Sequence, residues 1–146
     1  MSLRQAIIKD INSIVSIEKS CYEKPMWNKS LLKNLFNNSQ TDSVWIYELN
    51  KIIIGFLITQ RCLNEVSILN LAIDKKYQNN GFGKKITSQY LSLLPINSVV
   101  FLEVNKNNFI AQKVYAALNF EKIDYRKNYY NNGGDALIMR YVKSSD

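Results

Sequence analysis

The sequence predicts an α/β (α+β) fold built on a mixed, largely antiparallel central sheet flanked by helices. Three observations carry this reading. Three β-rich runs follow one another between residues 43 and 73 with only short turns between them, the pattern of an antiparallel meander. Apolar residues recur at helical spacing in the segments before and after that meander. Two later β-rich runs then close the chain. At 146 residues, with no linker, repeat or charged tail, one domain over 1–146 is expected.

Residues 4–8 open the chain as a short strand. Asp10 is placed to cap a helix over 10–22, because Ile11, Ile14, Val15, Ile17 and Glu18 fall at helical spacing. The pattern breaks at Pro25. Asn28 or Ser30 then starts a short helix through 36, whose apolar face carries Leu31, Leu32 and Leu35. Residues 43–49 form a strand, Asn50-Lys51 a turn, and 52–60 its hairpin partner. Leu63-Asn64 turns the chain into a third strand, 65–73. A helix over 81–94 follows and stops at Pro95. Residues 98–104 are β-branched and apolar enough for a buried central strand. Asn108 opens a helix that closes near Asn119, a residue tolerant of the left-handed conformation at helix ends. Residues 121–130 and 135–142 are two last strands around Asn131-Asn132-Gly133-Gly134.

Composition narrows the chemistry. The longest apolar run, residues 52–58, falls far short of the roughly 20 residues a membrane-spanning helix needs. The N-terminus lacks the basic-then-apolar pattern of a secretion signal, so a cytoplasmic protein is expected. Cys21 and Cys62 show no CxxC spacing, and an intracellular chain keeps both reduced. There is no histidine. Ser-His and Cys-His nucleophile pairs are excluded, and no metal is expected. Acid–base chemistry near neutral pH therefore falls to Glu, Asp, Tyr, Lys or Cys. The net charge of +7 attracts anions, with nucleic acid and a phosphorylated cofactor both candidates. The lysines are scattered, as on a plain solvated cationic surface.

One segment is suited to holding phosphate. Gln78-Asn79-Asn80-Gly81-Phe82-Gly83-Lys84 joins a strand to a helix, where the first helical turn leaves amide donors free and the dipole adds positive charge. Gly81 and Gly83 allow close backbone approach, and Lys75, Lys76 and Lys85 flank the loop. Neither GxGxxG nor a P-loop fits, and an ordinary strand-to-helix turn reads from the same residues. Glu103 faces away from Leu102 and Val104 by strand alternation, either as a solvated side chain or as a partly desolvated base. Tyr115 reads as core packing with its hydroxyl bonded nearby, or as a proton donor. Asn108 is most simply an N-cap.

In this order, the segments resemble the GNAT superfamily of N-acetyltransferases. Its acyl-CoA signature is Gln or Arg, two residues, Gly, one residue, then Gly or Ala, and residues 78–83 match it throughout. Asn108, Ala111, Val114-Tyr115 and Leu118-Asn119-Phe120 match the family pattern downstream. "LNLAID", "FLEVNKNN" and "RKNYYNNGGDALIM" resemble the bacterial ribosomal-protein-alanine N-acetyltransferases (RimI type), and the likeness covers essentially the whole chain.

The resemblance implies a GNAT fold splayed between the fourth and fifth strands, with acetyl-CoA as co-substrate. Pantetheine would lie along Leu71, Ala72 and Ile73, and pyrophosphate on the amides of Gln78, Asn79, Asn80, Gly81, Phe82, Gly83 and Lys84, with Asn108 also on the cofactor side. Glu103 matches the base and Tyr115 the acid. Tyr129 and Tyr130 match the peptide groove, although strand aromatics packed on a neighbour read equally well. The implied acceptor is a protein N-terminal α-amine, that of the N-terminal alanine of a small-subunit ribosomal protein. The rivals are a lysine or small polyamine acceptor, and a non-catalytic acyl-CoA- or ribosome-binding module. A monomer is expected, with no membrane or direct nucleic-acid partner. A basic peptide acceptor would favour acidic groups at the groove, for which Glu18, Glu23, Asp124 and Asp135 are candidates. Trp27 fits the family only loosely.

Overall fold

The computed structural model describes residues 2–22, 27–37, 41–130 and 133–145. Glu23, the break expected at Pro25 and the Asn131-Asn132 turn lie outside these residues. The elements run β1 (Ser2–Gln5), α1 (Ile11–Cys21), α2 (Lys29–Asn37), β2 (Asp42–Leu49), β3 (Ile52–Cys62), β4 (Glu65–Ile73), α3 (Phe82–Ser92), β5 (Val99–Asn105), α4 (Phe109–Ala117), β6 (Glu121–Arg126) and β7 (Ala136–Val142). The strands make one 7-stranded sheet in the order β1-β2-β3-β4-β5-β7-β6. Every neighbouring pair is antiparallel except β4 and β5, which are parallel and joined through α3.

The hairpins follow from their turn residues. Asn50 and Lys51 both take positive φ, 51° and 67°, the conformation whose twist matches flanking strands. Asn28, not Ser30, caps α2, its Oδ1 accepting the Leu31 N–H at 2.9 Å. Asn119, at φ 72°, ends α4 as expected.

Four expectations are corrected. The first strand lies at Ser2–Gln5 instead of 4–8, and the Asp10 side chain does not cap α1. That carboxylate folds back on the strand, accepting the Ile7 N–H at 2.8 Å and two Arg4 guanidinium bonds at 2.9 and 3.1 Å. Residues 8–10 therefore coil into a 3-10 turn. The strand expected over 121–130 stops at Arg126, so Tyr129 and Tyr130 are not strand aromatics. Asn128 interrupts it, with φ 54° and an N–H bonded to the Asp135 carboxylate at 2.8 Å. Finally, β5 is not buried throughout. Val100, Leu102 and Val104 are buried, while Glu103 between them is exposed.

Two apolar layers clamp the sheet. Ile86, Tyr90 and Leu91 of α3 and Tyr115 of α4 pack on one face against Leu57, Val66, Val100 and Leu102. Ile11, Ile14 and Ile17 of α1 and Leu32 and Leu35 of α2 cover Ile46, Phe56 and Ile58 on the other. Each such side chain, fully buried, stabilises the fold by about 1.5–3 kcal/mol, more than helix propensity can supply. No residue of β5, β6 or β7 joins the second layer, so that face of the C-terminal strands carries no helix among the described residues.

The gap in the sheet has a local cause. Pairing of β4 with β5 covers only residues 65–68 against 99–102. In the β3–β4 ladder Ile58 opposes Asn70 while Thr59 opposes Ile68, leaving Leu69 as an extra, exposed residue. Such a bulge bends its strand. It also changes which residues face which layer. Val66 and Ile68 point to the α3/α4 layer before the bulge, and Leu71 and Ile73 do so after it, while Ala72 turns to α1 and α2.

Candidate active site

Past Ile68 the facing edges of β4 and β5 are unpaired, so alternate backbone groups of each strand face the gap. Two adjoining cavities occupy it. One, of about 420 Å³, lies among Leu71, Ala72, Ile73, the glycine loop and α4. The other, of about 360 Å³, lies among Ile68, Asn70, Leu102, Glu103, Asn105 and Tyr130. They share Tyr22, Leu71, Asn108, Ala111 and Tyr115. Four segments distant in sequence thus meet along one cleft.

The larger cavity has the makings of an anion cradle. Gly81 takes φ +80° and stands at the N-cap of α3, turning the chain so that the helix axis starts at the cavity. The backbone N–H groups of residues 79–84 donate to no described residue. A run of free donors at a helix start is what a pyrophosphate requires. The Gln78 side chain does something else. Its Nε2 donates to the Ile73 carbonyl at 3.0 Å and contacts Cys21 Sγ at 3.5 Å, bracing the loop on the end of β4. Asn80 likewise closes the loop, donating to the carbonyls of Tyr77 and Gln78. Gln78, Asn79, Gly81, Phe82 and Gly83 lie on the cavity wall, whereas Asn80 and Lys84 flank it. Among the described residues no lysine or arginine lines this cavity, so positive charge arrives from the helix start and from lysines outside the lining. Asn108 accepts the Ala111 N–H at 3.1 Å as the N-cap of α4 and borders both cavities.

Tyr115 stands where the cavities join. Its ring packs edge-on against Phe120 at 5.6 Å, and the residue is 9% exposed. The expected hydrogen bond to a nearby group is missing. Its hydroxyl bonds to no described residue. Burial, with Tyr22 adding, pushes its pKa up to about 12, so the phenol stays protonated at neutral pH. Glu103 points to the opposite side of β5 from Leu102 and Val104, as expected, but it is exposed, because no helix covers that face. It also borders a third cavity, of about 390 Å³, with Phe101, Asp124 and Arg126.

Tyr130 lines the smaller cavity near Glu103, and Tyr129, outside that lining, meets its ring edge-to-face at 5.2 Å. A hydrogen bond to Glu103, then desolvation and the carboxylate's charge, raise the Tyr129 pKa. Tyr130 is raised by burial and then by the charge of Glu103. Arg126 lies 5.7 Å over the Tyr129 ring. The candidate acidic groups separate. Asp135 is tied to Lys106 at 3.2 Å, and Asp124 sits in the third cavity beside Arg126. Glu18 is fully buried on the wall of the smaller cavity, accepting the Trp27 N–H at 2.8 Å and the Asn70 amide at 3.2 Å. Its place on the apolar stripe of α1 was a legible signal of such a role. Among the described residues no cluster could hold a metal ion, and no helix is long and apolar enough to cross a membrane.

Residues 11–143 match the family model described as the acetyltransferase (GNAT) domain. The chain is 35% identical over 124 residues to the ribosomal protein bS18-alanine N-acetyltransferase of Haemophilus ducreyi, covering 84% of this chain and 83% of that protein. Its fold matches the crystal structure of the ribosomal-protein-S18-alanine N-acetyltransferase from Escherichia coli with a TM-score of 0.88 at 26% identity, over 99% of this chain and 95% of that one. A spermidine N-acetyltransferase chimera from Vibrio cholerae reaches a TM-score of 0.84 at 18% identity over 97% and 94%, a likeness in fold alone. The sheet split beyond a bulge, the free amides at α3 and the span of these matches agree: the chain belongs to the GNAT family and is an acetyl-CoA-dependent N-acetyltransferase.

Proposed function

We propose that residues 1–146 act as one cytoplasmic N-acetyltransferase domain that acetylates a protein N-terminal α-amine, that of the N-terminal alanine of the small-subunit ribosomal protein bS18. The observation that carries the reading is the protonated hydroxyl of Tyr115, bonded to no described residue, at the junction of two cavities, with Glu103 on the facing strand. Acetyl-CoA, when bound, supplies the acetyl group as a thioester. The residues on and beside the larger cavity are suited to hold it: free amides of 79–84 for the pyrophosphate, and the unpaired edge of Leu71, Ala72 and Ile73 for the pantetheine.

Glu103 takes the proton that the acceptor nitrogen gives up as its bond to the acetyl carbon forms, directly or through one water. A free α-amine has a pKa of about 7.7–8.0, within reach of such a base at neutral pH. Tyr115 gives its hydroxyl proton to the sulfur as the carbon–sulfur bond breaks. Charge supports the acceptor class. The chain carries +7, yet among the described residues the smaller cavity is lined by Glu18 and Glu103 and by no lysine or arginine. A cationic amine is therefore attracted to that end of the cleft and anionic phosphates to the other.

A thiol-release assay with acetyl-CoA tests this, using a bS18 N-terminal peptide and the same peptide with a blocked α-amine. CoA release with the free amine only is expected. Release with neither peptide, alongside measurable acetyl-CoA binding, would remove the N-terminal acceptor and send the search to lysine or polyamine amines.

A further inference from the structure

A buried carboxylate that lines neither cavity lies beside the turn that carries Tyr129 and Tyr130. Asp135 is buried at the start of β7, and its side chain gathers donors from separate segments. Tyr125, at the end of β6, donates its hydroxyl. Asn128, in the turn, donates its backbone N–H at 2.8 Å. Lys106, between β5 and α4, approaches with its ammonium at 3.2 Å, and its backbone N–H reaches the Asp135 carbonyl at 3.0 Å. All three donor residues are themselves exposed. The turn is closed at its tip by Tyr130 N–H to the Gly134 carbonyl at 3.0 Å and Gly133 N–H to the Tyr130 carbonyl at 2.8 Å.

This turn carries the two tyrosines that face Glu103. The network also continues to the helix of Tyr115, because Gln112 of α4 donates its side-chain amide to the carbonyls of Asn105 and Lys106, at 3.2 and 2.8 Å. We propose that Asp135 is a positioning residue for the acceptor: it fixes the turn that sets Tyr129 and Tyr130 against Glu103, in register with the start of α4. The inference rests on the acceptor site described under Proposed function. It separates Asp135 from a general structural role, because the cofactor cradle on α3 shares none of these bonds.

The test compares Asp135→Asn, Tyr125→Phe and Lys106→Met with the unaltered protein. Three quantities are read: acceptor KM, acetyl-CoA affinity, and hydrogen exchange at the Asn128 and Tyr130 amides. Asp135→Asn is expected to raise acceptor KM about tenfold or more, since small misplacements of positioning groups cost that much. Acetyl-CoA affinity should change less than twofold, and both amides should exchange faster. Tyr125→Phe and Lys106→Met should move KM and exchange the same way by less. An unchanged KM in folded variants would overturn the proposal, and so would parallel losses of acceptor and acetyl-CoA binding. Should Asp135→Asn fail to fold, unchanged KM in both milder variants would do the same. If the unaltered protein acetylates no peptide, it is the functional reading that fails. Amide exchange at Asn128 and Tyr130 then decides on Asp135 alone, with unchanged exchange overturning the clamp.

Discussion

The two walls of the cleft are made of different material. The proposed cofactor wall is backbone: N–H groups at the start of α3 that donate to no described residue, a left-handed Gly81, and the unpaired edge of β4. The proposed acceptor wall is side chain: Glu103, Tyr129 and Tyr130, beside a carboxylate network that joins the ends of β5 and β6 to the start of β7. A backbone wall is insensitive to pH and to most substitutions, because every residue supplies the same amide. A side-chain wall can be retuned residue by residue.

The sharpest way to break the contrast is at the junction. Tyr115→Phe should lower kcat by about a hundredfold or more, the usual scale for loss of a general acid, while acetyl-CoA affinity stays put. Unchanged turnover in a steady-state assay would remove Tyr115 from the chemistry. A smaller effect tests the backbone wall. A Cβ on Gly83 would meet only the Leu71 side chain, at 3.9 Å, so Gly83→Val should leave the urea midpoint of unfolding nearly unchanged. It should nevertheless raise acetyl-CoA KM about tenfold, because the crowding would come from the ligand. Equal KM values would mean that the ligand does not approach that residue.

The smallest effect separates the walls by acid. Hydrogen bonds, first from Tyr125 and then from Asn128, with Lys106 beside it, hold the Asp135 pKa down at about 2 against an ordinary 3.8. A depressed carboxylate contributes stability above its unfolded pKa and loses it as pH falls through the folded one. Stability measured by urea unfolding should therefore decline between about pH 4 and pH 2, more steeply than in Asp135→Asn. Parallel pH curves would show that this carboxylate is not what titrates.

The legibility of the site follows the same division. The glycine loop was readable as a strand-to-helix turn with free amides because its chemistry is local: a strand end, amide residues, two glycines and a helix start within a few positions. The side Glu103 faces was readable from strand alternation. Its exposure was not, since that depends on which strands α1 and α2 happen to cover. Tyr129 and Tyr130 look like strand residues in isolation, and only the capture of Asn128 by a residue seven positions later takes them out of the ladder. The place of Gly55 was equally hidden. A Cβ there would lie 2.8 Å from Ile73 and 3.0 Å from the Ala72 carbonyl, so the bare backbone of β3 is what lets the end of β4 sit where it does.

Leu69 also imposes an arithmetic on the chain. Side chains in a strand obey parity, and one surplus residue reverses the parity of everything beyond it. In β4, even positions serve the α3/α4 layer up to Ile68, and odd positions serve it from Leu71 onward. The aperture and the identity of the residues rimming it are thus one decision. Were Leu69 to pair in regular register, Ala72 and Ile73 would turn inside out together, whereas deleting Leu69 would straighten the strand and leave every side chain beyond it assigned to its present layer.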